Sequence, residues 1–420
     1  MESYRFLFEI AIILLSTKIL SILTQRVHMP QVVGALLAGL IMGPACLGVL
    51  AENDFITYTA ELGVIVLMFC AGMQTDIDEL KKSGKASFVI ALIGVIVPLL
   101  GGFVLAWFFN RPDRIVSDAD CSIFLQNVFM GVILTATSVS ITVETLKELG
   151  KLKTRSGNAI LGAAIIDDIL GIVALTIITS MADESVNVWI VLLQIVLFFV
   201  FTAVVGFIFY KLYRKWSESS NRALHRHAII AFVFCLLMSY AAETFFGVAD
   251  ITGAFFAGLI ISKCRRSDYL AAKFDTLSYL YLSPIFFASI GLKVVLPAMD
   301  GTLILFSVLL VVIAVLTKVV GCGLGAKLCH YKNYQCARIG VGMISRGEVA
   351  LIVASKGQAL GLIGSNFLGP IIIVVVLTTI ITPMLLKPVF KLGPVTTVEN
   401  KLARNYEAVE SINRKEIEHK

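Results

Sequence analysis

Two adjacent aspartates, Asp167 and Asp168, lie in the middle of an apolar stretch that covers residues 157–180. A carboxylate inside a hydrocarbon layer is costly unless it is protonated, paired with a cation or bound to an ion. Adjacent helical residues point about 100° apart, so the two carboxylates cannot both face one ligand. The pair predicts a division of labour between two acids that bind a small cation and carry protons.

Hydroxyl residues recur at the same depth in the preceding apolar segment, where residues 135–142 read Thr-Ala-Thr-Ser-Val-Ser-Ile-Thr. If that helix is locally unwound, oxygen atoms of Thr137, Ser138 and Asp168 would suit a hard monovalent cation such as Na⁺ or Li⁺. Alternatively, the hydroxyls bond their own helix carbonyls or allow neighbouring helices to pack closely. Both interpretations are open at this stage.

Three further charges fall inside apolar segments. Lys318 is preceded by a long apolar run and has two interpretations: its ammonium reaches the headgroups, or it pairs with a buried carboxylate. Arg346 and Glu348 flank Gly347, which predicts a second broken helix whose charges line a polar cavity. The alternative is a turn at the membrane interface, if the helix begins only near Arg346.

The amino-acid composition indicates that these residues lie in a protein surrounded by lipid. Mean hydropathy is +0.89, with 58% apolar and 15% charged residues, against about 25% charged in a soluble domain. The chain is therefore predicted to be an all-α polytopic membrane protein with about thirteen transmembrane helices. The predicted segments are 7–24, 31–50, 57–74, 87–108, 123–146, 157–180, 188–213, 227–245, 249–263, 276–296, 302–328, 338–361 and 365–391.

Lys and Arg are concentrated in alternate connections, which predicts the orientation. One side has Lys or Arg in every connection, whereas the other has only Arg5, Arg111 and Arg114 apart from Lys293 and Lys356 at helix ends. With the basic side inside, the N-terminus is outside, and the tail over residues 392–420 is cytoplasmic. The net charge of +6 then reflects the Lys and Arg residues of the cytoplasmic connections, and no nucleic-acid partner is needed to explain it.

The fourth to sixth segments and the eleventh to thirteenth have opposite orientations in this topology, with polar interruptions in the middle member of each triplet. Such inverted-topology repeats place two crossed discontinuous helices at the membrane midplane, where they form an ion site.

These residues resemble a known family. The runs 135–142, 148–150 and 161–171 are similar to the signature of bacterial sodium/proton antiporters of the two-aspartate branch, within the monovalent cation:proton antiporter-2 family. The similarity continues through residues 253–259 and 283–292, Lys318 and the Arg346-Gly347-Glu348 run, and it covers nearly the whole chain.

The resemblance implies the sodium/proton antiporter fold, with a mobile core (about 87–180 and 302–391) and a dimerisation panel (about 7–74 and 188–296). Asp168 would be the principal cation and proton carboxylate, and Asp167 would pair with Lys318. Thr137 and Ser138 would lie at the crossover, with Glu348 as an accessory acid. The expected protein is a homodimeric Na⁺ or Li⁺/H⁺ antiporter of a bacterial inner membrane, needing no cofactor.

Two protons per Na⁺ are expected, because electroneutral relatives tend to have Asn-Asp in place of Asp-Asp. The alternative within the superfamily is K⁺/H⁺ antiport or K⁺ efflux, although the tail is too short for the soluble nucleotide-binding domain of some potassium systems. An ion channel is the alternative from another class, and it requires a continuous pore that a salt-bridged pair at mid-depth would block. An enzyme is disfavoured, since no His-rich metal cluster or nucleophile motif occurs in the sequence.

Overall fold

A computed structural model describes residues 4–26, 29–111, 114–115, 117–119, 121–182, 187–219, 224–264, 267–294 and 299–394. Most of the predicted tail therefore lies outside the described residues. The α-helices are α1 (Arg5–Arg26), α2 (Gln31–Met42), α3 (Asp54–Gln74), α4 (Ile77–Phe109), α5 (Ile123–Ile133), α6 (Val139–Glu148), α7 (Arg155–Ala182), α8 (Val188–Ser219), α9 (Leu224–Phe246), α10 (Asp250–Ile261), α11 (Ser267–Leu277), α12 (Ser283–Leu292), α13 (Gly301–Leu328), α14 (Asn333–Gly342), α15 (Glu348–Ala359) and α16 (Leu368–Lys391).

Eight of the described helices are long and apolar enough to cross a membrane: α1, α3, α4, α7, α8, α9, α13 and α16. The other predicted segments coincide with shorter helices, so the count of thirteen crossings stays a prediction. The segment 31–50 is helical only as far as Met42, because Gly43 precedes Pro44 and takes an extended conformation. The segment 276–296 contains the end of α11, a π-helical turn over Ser278–Leu282, and α12.

Both predicted helix breaks are present. The chain leaves helical geometry after α5 and resumes it at α6, and it does the same between α14 and α15. Because the ten-residue α14 precedes Arg346, the second break is internal, and the interface-turn alternative is wrong. Each break leaves two half-helix ends with backbone groups that have no partner inside the helix.

The helices pack mainly within two groups. The core group consists of α4–α7 and α13–α16, and the panel group consists of α1–α3 and α9–α12, with α8 beside α7 and α9. Glycines allow backbones to approach closely within each group. A Cβ at Gly72 of α3 would lie 2.2 Å from the Phe255 carbonyl oxygen of α10, and one at Gly131 of α5 would lie 2.3 Å from the Leu99 carbonyl oxygen of α4.

Within the core group, α6 has a special position. It packs on α7 and α16 of its own group and also on α2 and α3 of the panel group. The helix therefore links the crossover to the panel group.

Outside the helices, the connection between α4 and α5 is tied to the turn before α16. The Asp118 carboxylate accepts hydrogen bonds from the Ser365 amide and from its hydroxyl, both at 2.7 Å. The Ser365 hydroxyl holds the pKa of Asp118 below its usual value. This contact joins the ends of the two broken-helix units on the side opposite the basic connections.

Candidate ion site at the helix crossover

The two breaks are joined directly by hydrogen bonds. The Ser138 amide donates to the Ser345 carbonyl oxygen at 2.7 Å, and the Ser345 hydroxyl donates to the Ser138 carbonyl oxygen at 2.8 Å. Thr142 at the start of α6 donates its hydroxyl to the Gly342 carbonyl oxygen at 2.8 Å. A Cβ at position 347 would lie 2.6 Å from the Ser138 hydroxyl oxygen, so Gly347 permits this close crossing.

Arg346 satisfies carbonyl groups on both sides of the crossover. Its guanidinium donates to the Leu134 carbonyl oxygen at 2.7 Å and to the Ile344 carbonyl oxygen at 2.9 Å. These carbonyls follow the C-termini of α5 and α14, where the helix dipoles place partial negative charge. The fully buried Arg346 cation complements both helix ends.

The backbone of Arg346 is also fixed by α16. Its amide donates to the Thr378 hydroxyl at 3.2 Å, and the Thr379 hydroxyl donates to its carbonyl oxygen at 2.6 Å. The second break is therefore held by both the first broken helix and α16.

Asp167 and Lys318 form a buried ion pair between α7 and α13. Lys318 Nζ donates to Asp167 Oδ1 at 2.9 Å and to Oδ2 at 3.1 Å. Lys318 is 0% and Asp167 2% exposed. A buried charge needs such a partner, because desolvation otherwise outweighs any gain. Of the two sequence interpretations for Lys318, pairing with a carboxylate describes this geometry.

Asp168 differs from its neighbour in every respect that matters for binding. Its side chain is half-buried, and it has no hydrogen bond or ion pair with the described residues. The charged groups that interact with the Asp168 carboxylate are Asp167 and Lys318. One turn further along α7, a Cβ at Gly171 would meet nothing within 4 Å, so open space borders this helix near Asp168.

Thr137 has a buried hydroxyl without a hydrogen bond to the described residues. It lies beside the Asp167 carboxylate, and its side chain is 1% exposed. A buried unsatisfied hydroxyl is unfavourable by about 1–3 kcal/mol, which a bound ligand would offset. The neighbouring Ser138 hydroxyl contacts that of Ser140 at 3.2 Å.

The structure thus brings Asp167, Asp168, Lys318 and Thr137 together, with Ser138 at the crossover itself. Asp168 and the Thr137 hydroxyl have no hydrogen bond with the described residues. Arg346 lies inside the protein rather than on a cavity wall as predicted, because it fills the space between two helix C-termini. The side chain of Glu348 lies outside the described structure. Sequence reasoning missed the linking roles of Thr142, Ser345, Thr378 and Thr379, of which the first two lie in the polar runs that predicted the breaks.

Comparisons with known proteins identify transporters to which nearly the whole chain is similar. Residues 11–392 match the family described as "Sodium/hydrogen exchanger, transmembrane". The chain is 39% identical over 388 residues to the Na(+)/H(+)-K(+) antiporter GerN of Bacillus cereus, covering 92% of this chain and 97% of that protein. It is 35% identical over 385 residues to an Na(+)/H(+) antiporter of Enterococcus hirae, covering 90% and 96%.

The fold is also similar to a solved structure. The sodium proton antiporter MjNhaP1 from Methanocaldococcus jannaschii matches with a TM-score of 0.67 and 19% sequence identity, covering 93% of this chain and 99% of that one. This similarity confirms the predicted antiporter fold with its two crossed broken helices.

Proposed function

We propose that this chain, which belongs to the sodium/hydrogen exchanger family, exchanges Na⁺ or Li⁺ for H⁺ across the membrane by alternating access. The observation that carries the proposal is the contrast within the aspartate pair: Asp167 is neutralised by Lys318, whereas the half-buried Asp168 has no ion pair or hydrogen bond with the described residues. Asp168 offers a carboxylate, and Thr137, which lies beside Asp167, offers a buried hydroxyl without a hydrogen bond to the described residues. Oxygen ligands of this kind suit a small hard cation.

In this mechanism Asp168 binds either the cation or a proton, because one carboxylate cannot hold both. Thr137 and Ser138 supply additional oxygen ligands from the first break. Arg346 does not bind the transported ion. Its hydrogen bonds to backbone carbonyls keep the crossover rigid, so that the oxygen atoms that bind the ion stay in position.

Formal charges give the electrical consequence of exchanging two protons per Na⁺. When Asp168 is protonated and Lys318 is charged, Asp167, Lys318 and Arg346 together give a net charge of +1. If Na⁺ binding displaces one proton from Asp168 and a second from the Asp167–Lys318 pair, the site with Na⁺ is neutral. Each cycle then moves one net charge, and about 2.3 kcal/mol per 100 mV drives proton entry and sodium expulsion at an inside-negative potential.

Alternating access requires that the core group move against the panel group. The packing of the helices supports this division, since most contacts lie within each group. We further place the protein in a bacterial plasma membrane, with its N-terminus outside, its C-terminus cytoplasmic and two copies forming a homodimer through the panel.

The test is cation-driven proton movement in proteoliposomes at imposed voltages. An Na⁺ or Li⁺ gradient should drive proton movement, and its rate should depend on voltage for the parent but be absent for Asp168→Asn. Voltage-independent exchange would exclude the two-proton stoichiometry, and a lack of Na⁺- or Li⁺-driven proton movement would exclude the proposed exchange.

K⁺/H⁺ exchange is a second candidate, because the similar GerN protein is named as an antiporter for K⁺ as well as Na⁺. The same vesicles with a K⁺ gradient distinguish these substrates. Flux that saturates with ion concentration favours a transporter, whereas flux that continues to rise indicates the channel alternative.

A further inference from the structure

The end of α6 that is distant from the crossover is attached to the panel group at two points. Lys147 Nζ lies 2.7 Å from Asp275 Oδ1 of α11. One residue further, both Glu148 carboxylate oxygens accept from the Gln31 amide of α2 at 2.9 Å. From these contacts we infer a clasp, formed by Lys147 and Glu148, that holds the core group and panel group in the described arrangement and must open during transport.

The Glu148 contact supplies a cap that α2 cannot provide itself. The N-cap residue of α2 is Pro30, which has no side-chain hydrogen bond to the helix N-terminus. The first amides of a helix need an acceptor, and a carboxylate there also interacts favourably with the helix dipole. The Gln31 amide finds this acceptor on another helix that belongs to the other group.

The Lys147 contact ends on an acid that the panel group fixes. Asp275 accepts a hydrogen bond from the Gln74 side chain of α3 at 3.0 Å through its other oxygen. Lys147 is only 21% exposed, and Glu144 of its own helix lies 3.9 Å away. The ion pair therefore joins α6 to a residue that is itself anchored to α3.

A cavity of about 640 Å³ lies beside the clasp. The α6 residues Glu144, Lys147 and Glu148 line one part of it, and residues of α1, α2, α11 and α12 line the rest. Because a cavity already occupies part of the interface between the core group and the panel group, the two groups can move apart here without exposing a closely packed apolar interface to water. The clasp is at the end of α6 that the basic connections predict to be cytoplasmic.

This inference rests on the proposed exchange by alternating access, and a cysteine cross-link separates the two. Cys70 interacts with Asp275, so the eight native cysteines are first replaced by serine or alanine. Lys147→Cys with Asp275→Cys is then oxidised to a disulfide or joined by a short bifunctional thiol reagent. The matched control is Gln74→Cys with Asp275→Cys, which joins two helices of the panel group.

The 147–275 cross-link should lower Na⁺-driven proton exchange by about tenfold or more, because a locked protein cannot reach its other state, and reductant should restore exchange by the disulfide form. The 74–275 cross-link should leave exchange within about twofold of the reduced protein. Full activity of the 147–275 cross-linked protein, or failure of the cross-link to form, overturns the clasp. Absence of exchange in the uncross-linked parent overturns the proposed function instead.

Charge reversal gives a second measurement with native cysteines present. Lys147→Asp should change the apparent Na⁺ affinity in opposite directions on the two sides of the membrane, because it shifts the population of the two states. Adding Asp275→Lys should restore both values. Equal changes on both sides, or no rescue by the double variant, would contradict the clasp.

Discussion

The two helix breaks cross at one point but satisfy their polar groups differently. The second break contains its own cation, Arg346, which bonds to carbonyl oxygens on both sides of the crossover. The first break contains no charge, and its Thr137 hydroxyl is buried without a hydrogen bond to the described residues. The second break thus supplies its own cation, although Arg346 Nε has no hydrogen bond with the described residues, whereas the first break has no charged group to bond its polar atoms.

The same contrast separates the two aspartates of α7. Asp167 faces α13 and is paired with Lys318, whereas Asp168 is half-buried and has no ion pair with the described residues. A binding site that must release its ion cannot be filled by the protein's own charges. The structure therefore combines charges that bond within the protein, Arg346 and the Asp167–Lys318 pair, with an exchangeable half, the Asp168 carboxylate, which has no ion pair with the described residues.

Local patterns predicted much of this arrangement. Hydroxyl residues inside an apolar run predicted the first break, and two charges around Gly347 predicted the second. The lysine inside an apolar run favoured a buried carboxylate partner, because a buried charge is unfavourable alone. The two carbonyl groups that bond to Arg346 could not be predicted from local sequence patterns. Carbonyl groups occur at every residue, so nothing in the sequence marks Leu134 and Ile344 as acceptors.

Contacts between distant helices were also missed. Lys147, Glu148 and Asp275 fall between the predicted apolar segments, where charged residues are ordinary, although the structure places them in α6 and α11. Their contacts depend on how α6 meets the panel group. One sequence signal was present: Pro30 before α2 offers no side-chain acceptor, so another part of the protein has to cap that helix.

The largest expected effect is at the exchangeable half. Asp168→Asn should abolish cation-dependent proton movement, because the amide removes both the negative charge and the titrating proton. Thermal stability should stay close to that of the parent, since Asp168 has no ion pair with the described residues to lose. Proteoliposome flux and a thermal melt measure the two quantities. Exchange that persists in a folded Asp168→Asn protein contradicts the assignment.

Substitutions in the Asp167–Lys318 pair should lower the stability of the protein. Asp167→Asn or Lys318→Gln alone should cost about 3–5 kcal/mol of unfolding free energy, because each leaves a buried charge without its partner. The double variant should recover much of this loss. It should also exchange ions slowly and without voltage dependence, since Asp168 alone carries one proton per Na⁺. A double variant that is no more stable than the singles would mean that the two residues are not coupled.

Arg346→Met should also lower stability, by about 1–3 kcal/mol for each carbonyl group left without a donor. Methionine retains much of the apolar volume, so the loss reports mainly on the hydrogen bonds and the charge. Denaturant unfolding in detergent measures the change, with Arg346→Lys as the comparison that keeps the charge but loses the forked geometry. Unchanged stability in both variants would mean that the second break does not depend on its cation.

The smallest expected effect is at the hydroxyls of the first break, and it separates the two breaks most sharply. Thr137→Ala should weaken apparent Na⁺ affinity by about 1–3 kcal/mol, the usual effect of losing one polar ligand, and Ser138→Ala should act in the same direction. Stability should hardly fall for Thr137→Ala, because that hydroxyl has no hydrogen bond to lose in the described structure.

Thr137→Ser is the matched control, since it keeps the oxygen while removing the methyl group. Transport measured over a range of Na⁺ concentrations gives the affinity, and a melt on the same samples gives the stability. If both alanine variants keep the parent's Na⁺ affinity, the hydroxyls only permit close packing, and the first break is as passive toward the ion as the second.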